Sequence, residues 1–134
     1  MAGIKQKLAI CDDFNNRITR LVRLAENKLR DGNADLYILR EHIRVARDVD
    51  PLMIINLCMD SIWALRGRIE NQDHEYFLNP TNEEINKLPM IAAVLKATIG
   101  HLNDDEKIYV WQIIRELLSL VVRYKLLIGD YHDA

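Results

Sequence analysis

The chain has 134 residues, 49% hydrophobic and 28% charged, with a formal net charge of −2. That length suits one domain burying on the order of two-thirds of the surface of its unfolded chain, so the fold needs no disulfide or metal to hold it. A charge so near balance argues by itself neither for nucleic acid nor for membrane surfaces, and specific nucleic-acid domains are usually far more basic. Its distribution is mildly uneven, with ten Lys or Arg against eight Asp or Glu in residues 1–50 and eight against twelve in residues 51–134.

The first predicted helix covers about residues 4–30. Ile4, Leu8, Cys11, Ile18, Val22, Ala25 and Leu29 alternate steps of four and three, with Asn15 in the one gap, so a single seam lines one face for about four heptads. Such a seam suits packing along another long helix. Gly32 and Asn33 end it, and Asn33 or Asp35 is placed to cap the next helix. That second helix, about residues 34–47, buries Leu36, Leu39, Ile43 and Ala46 and turns Arg40, Arg44 and Arg47 to solvent.

Asp50-Pro51 is a boundary, because Asp caps a helix well and Pro is pre-shaped for the first helical position. The third helix, about residues 51–71, carries Leu52, Ile55, Met59, Ile62 and Ile69 on one stripe, widened by Ile54, Leu57, Cys58 and Leu65. Gly67 inside it marks a close backbone approach or a loosened final turn. Cys11 and Cys58 both fall on apolar helix faces, where a thiol behaves as a small hydrophobe; they are read as free and reduced. The helical pattern stops at Gln72, and Tyr76, Phe77 and Leu78 are expected to fold back on the bundle before Pro80. Thr81 and Glu84 form a capping-box pattern opening a short helix to Leu88, and Pro89 restarts the chain into a fifth helix over residues 90–99, closed by Gly100.

The last helix is predicted over residues 104–128. Asn103 and Glu106 make another capping box, and Gly129 is placed to close the final turn before the polar tail 129–134. This helix is apolar nearly all round and must be surrounded; with residues 51–71 it is expected to form the core. Arg115, Glu116, Arg123 and Lys125 lie inside it, and at about 2.5–3.5 kcal/mol per charge they exclude a membrane span. No stretch alternates as a strand does, and there is no repeat. The fold class is therefore all-α: a single-domain bundle of five to six helices over residues 1–134, with no sheet.

The chain carries no sequence signature of catalysis. A bundle metal site needs Glu-x-x-His pairs, and none of His42, His74, His101 and His132 lies three residues after a Glu. Glu70 and Asp73 are half of a carboxylate set that holds a divalent ion in helical nucleotide hydrolases, without the other half. Glu83, Glu84, Asp104, Asp105 and Glu106 are first-turn residues favoured by the helix dipole. Ser61 and Ser119 lie inside apolar helices, neither Cys has a visible His partner, and no Gly-rich phosphate loop exists. Trp63 and Trp111 sit in the two most apolar helices and read as core, although an interface also uses such aromatics. No enzyme activity, cofactor, metal or small-molecule substrate is expected, and the lack of an N-terminal secretory pattern favours an intracellular setting.

The segment WALRGRIENQDHEYFLN, Trp63 to Asn79, resembles a pattern of short helical proteins of the large nucleocytoplasmic DNA viruses. Asp73, Glu75, Tyr76, Phe77 and Leu78 carry that likeness, with Ile108-Tyr109-Val110-Trp111 leading to Leu117 later; together they cover about half the chain. The resemblance implies a virus-encoded protein made for assembly or virion contacts, and it brings no catalytic residue.

Two functional readings follow. The first is a structural or interaction protein whose helix-one seam and surplus apolar face on the last helix, around Tyr109, Val110, Ile113, Leu117 and Leu120, bury against a second copy or another subunit. The second is a nucleic-acid- or phosphate-binding accessory factor using Arg40, Arg44 and Arg47. A guanidinium forks toward oxyanions and is never neutral, but Glu26, Asp31, Glu41 and Asp48 stand close enough to pair with several of the arginines.

Overall fold

The computed structural model describes residues 2–29, 32–71, 74–78 and 86–130, and every structural statement below concerns these. They form α1 (Ala2–Lys28), α2 (Ala34–Val49), α3 (Met53–Ala64), α4 (Arg66–Asn71), α5 (His74–Phe77), α6 (Ile91–Thr98) and α7 (Asp104–Ile128), with a 3-10 turn at Ile99–His101. Among the described residues there is no strand, and the chain is an all-α bundle. The capping box Thr81 to Glu84, Asp73, Pro80 and the side chains of Tyr76 and Phe77 lie outside the described residues.

Local chemistry marks the ends of the helices. Asn33 accepts a hydrogen bond from the Leu36 amide at 3.1 Å and opens α2. At α7 both halves of the capping box form: Glu106 N–H donates to Asn103 Oδ1 at 2.8 Å, and Asn103 N–H donates to Glu106 Oε1 at 3.0 Å. That backbone bond, with the Lys28 ammonium 2.8 Å away, holds the Glu106 carboxyl below its ordinary range. Gly129, at φ 75, closes the helix in the left-handed conformation. Gly100 instead sits within the 3-10 turn, so α6 ends by tightening rather than on a left-handed glycine.

The predicted third helix is two rods. At Leu65 (φ −98, ψ 10) the amide is shared between Ser61 O and Ile62 O, a tightened turn that ends α3 and lets α4 restart at Arg66. Gly67, just beyond, is exposed, and a Cβ there would meet nothing within 4 Å, so no neighbouring backbone requires the glycine. Gly67→Ala is therefore expected to raise stability by about 0.5–1 kcal/mol through the lost flexibility of the unfolded chain, read as a higher urea midpoint at unchanged slope.

One core holds these pieces together, with α1 as its hub. α1 packs along α7, α2, α6 and α3, while α7 also takes α3, α4 and α5. Pairs between α1 and α7 run in reversed order, Lys7 over the Tyr124 ring, Arg17 to Glu116 at 2.7 Å and Lys28 to Glu106, which makes the two rods antiparallel. α3 and α4 also run against α7: Tyr124 donates to Asn56 Oδ1 at 3.1 Å near one end, and Arg115 donates to Glu70 O at 3.1 Å near the other. The helix-one seam, from Cys11 through Asn15, Ile18 and Val22 to Ala25, is buried inside this chain, so the expectation that it awaits a partner is corrected; only Ile4 and Leu8, on the first turns, stay exposed. Asn15, buried in mid-seam, donates to Pro51 O at 3.2 Å and ties α1 to the turn between α2 and α3.

Candidate functional site

The surface of interest is α2, which is peripheral and differently furnished on its two flanks. Its inner face, Leu36, Leu39, Ile43 and Ala46, meets the core as the spacing predicts. Steps of four and three place Arg40, Arg44 and Arg47 together on the flank that faces α1. Steps of four, three and four place Ile38, His42, Val45 and Val49 together on a different flank, and all four are exposed.

The arginine flank closes over a groove. Arg47 Nη2 reaches Asp12 Oδ1 at 3.1 Å and Asn16 Oδ1 at 3.0 Å on α1, contacts that mark the register of the two antiparallel helices. Arg23 and Thr19 of α1 then come opposite Arg40 and Arg44, and the space between them has a volume of about 560 Å³ floored by Val22 and Ile43. Glu41 bridges Arg44 at 2.9 Å and holds its guanidinium above its ordinary pKa; Asp48 stands 3.8 Å from the same group. Arg40 Nε lies 3.5 Å from Glu26 Oε1, a buried oxygen that no hydrogen bond satisfies. No carboxylate pairs with Arg23 among the described residues. The sequence pattern supplied three of these arginines; Arg23 was missed because its place depends on the register of the α1–α2 hairpin. The short Gly32-Asn33 turn carried that signal, since residues equally far from it face each other.

The expected surface on α7 is corrected. Val110, Ile113, Leu117 and Leu120 are buried within the chain, and Tyr109 alone of the five is exposed. The reason is geometric: α1 covers one side of α7 and α3, α4 and α5 cover the other, leaving apolar surface only near its ends, at Ile108, Tyr109, Leu126 and Ile128. Where the end of α7 meets the start of α1, a shallow notch of about 510 Å³ lies among Gln6, Ile10, Arg123 and Leu126.

Burial pushes the Cys58 thiol up to about 12 and the Cys11 thiol up to about 11, the latter despite the Lys7 charge, so both stay protonated at neutral pH and neither is a poised nucleophile. Burial likewise raises the Tyr124 phenol. Trp111 is core, as expected; Trp63 is half-buried with the Arg66 guanidinium stacked 4.4 Å from its ring centroid. Among the described residues no three His, Cys, Asp or Glu side chains are arranged to hold a metal ion, and no helix is long and apolar enough to cross a membrane. Comparison with known proteins found no matching family model, no matching curated protein and no matching solved structure.

Proposed function

We propose that this chain is a non-enzymatic interaction protein that pairs with a second copy of itself through the outer flank of α2. The observation that carries the reading is the exposed stripe Ile38, His42, Val45 and Val49 on a helix whose inner face is already buried. A helix apolar on two separate faces has more apolar surface than its own bundle uses. The stripe is symmetric about its midpoint, so an antiparallel two-fold pair sets Ile38 of one copy against Val49 of the other and His42 against Val45, the self-complementarity that an isologous contact requires. Four side chains bury far less than the roughly 1,200 Å² of a standard interface, so pairing is weak, with a Kd on the order of micromolar or above. A part in assembling a virus particle inside the producing cell is supported by the resemblance carried by residues 63–79 and 108–117 alone.

Sedimentation velocity over a wide concentration range tests this. The protein is expected to move from monomer toward dimer as concentration rises, and Val45→Asp, at an exposed position that leaves the fold intact, is expected to hold it monomeric. A wild-type chain that stays strictly monomeric up to about 1 mM, or a Val45→Asp variant that dimerises as before, overturns the reading.

A further inference from the structure

The groove on the other flank of α2 has no part in that pairing, and its chemistry points elsewhere. We infer that it binds the phosphate group of a small phosphorylated molecule, with Arg23, Arg40, Arg44 and Arg47 as the anion clamp and Val22 and Ile43 as an apolar floor for the organic part.

The clamp is built from two helices. Arg23 comes from α1 and the other three from α2, so arginines line both walls of the groove, whereas a solvated stripe would spread them over one surface. Four arginines against Glu41 and Asp48 leave the lining with two net positive charges. Beyond it, Asp12 pairs with Arg47 and Glu26 stands by Arg40. These pairs are easily exchanged. The side chains of Asp48 and Asp12 are 74% and 65% exposed, and such pairs contribute little, because water and salt already screen them. Arg40 makes no hydrogen bond to Glu26, and among the described residues no carboxylate pairs with Arg23. A phosphate with two charges offers forked acceptors to several guanidiniums at once, which no single rim carboxylate does. The volume, about 560 Å³, falls within the range of small-molecule sites. Asp12 and Asp48 at the rim also argue for a compact ligand over a polynucleotide, since an extended polyanion would run along both carboxylates on a chain of net charge −2.

Titration calorimetry with ATP, with inorganic triphosphate and with pyrophosphate, at about 50 mM and about 200 mM salt, tests the site. One molecule of ATP per chain is expected, binding more weakly at the higher salt, and Arg23→Gln and Arg44→Gln are each expected to weaken it about tenfold or more. Arg20→Gln removes the same charge from an exposed position of α1 outside the groove and is expected to leave binding unchanged. Tighter binding of ATP than of both pyrophosphate and inorganic triphosphate, the latter having the same phosphate chain as ATP, identifies the organic part as seated on Val22 and Ile43; equal binding of ATP and triphosphate identifies the phosphate chain as sufficient. The inference is overturned by absence of ATP binding at low salt, by an Arg20→Gln loss as large as that of Arg23→Gln, or by a single-stranded oligonucleotide that binds where ATP does not. Thermal melting of each variant separates lost binding from lost fold.

Discussion

Phe14→Ala is expected to lower the unfolding free energy by about 3–5 kcal/mol, the range for a buried aromatic truncated in a packed core. Phe14 is fully buried on the helix that touches α7, α2, α6 and α3, so the void opens inside a close-packed core that relaxes only in part. Domains of this kind are stable by about 5–15 kcal/mol in total, so the loss takes a fifth or more of the margin and lowers the melting temperature by roughly 10–20 °C. Ile4→Ala on the same helix is the comparison. Its side chain is mostly in water, and the change is expected to fall within about 0.5 kcal/mol. Urea denaturation of both variants checks the pair: equal costs would mean that α1 is not the buried hub, and a large cost at Ile4 alone would mean that its first turns are covered in solution.

The contrast between those positions shows how far sequence reasoning reaches. Periodicity and caps located the long helices but not the single turn α5, placed within a stretch read as a connector, because both signals are local: Asn103 with Glu106 and Asn33 with Leu36 form their bonds within one turn, whatever the rest of the chain does. The seam of helix one was legible as apolar, but nothing local says that it ends up inside its own chain from Cys11 onward and exposed at Ile4 and Leu8. The same limit produced the wrong surface on α7. Val110, Ile113, Leu117 and Leu120 look surplus when one neighbour is assumed and are fully used once α1 and α3 to α5 flank the helix on both sides. The break at Leu65 was half-read: Gly67 announced a weak point, and the chain yields two residues earlier. On α2 the arginine stripe was read from spacing, the apolar stripe on the other flank was not singled out, and the groove needed the pairing of two helices to exist at all.

The second large effect is expected at the far end of α7, where Lys125 is buried although it lies in a helix's last turn. Its side chain is 4% exposed, while Asp60, 3.3 Å away, is 82% exposed and Asp130, 3.2 Å away, is 47% exposed. The ammonium thus sits beneath two carboxylates that face water, with the Trp63 ring 5.5 Å away and Arg66 stacked on that ring. Asp60→Asn with Asp130→Asn keeps both shapes and removes both charges, leaving a desolvated cation near a second one. The cost is expected at about 1–3 kcal/mol, discounted from the larger penalty of a fully interior pair because water can still approach from the carboxylate side. Lys125→Met removes the charge itself and keeps the apolar stem, so it is expected to be near neutral. Combining all three changes should then restore most of what the two aspartates lost, a coupling of more than about 1 kcal/mol in a mutant cycle. Additive losses in urea denaturation would show that Lys125 is held by its stem alone, with Asp60 and Asp130 as ordinary surface groups.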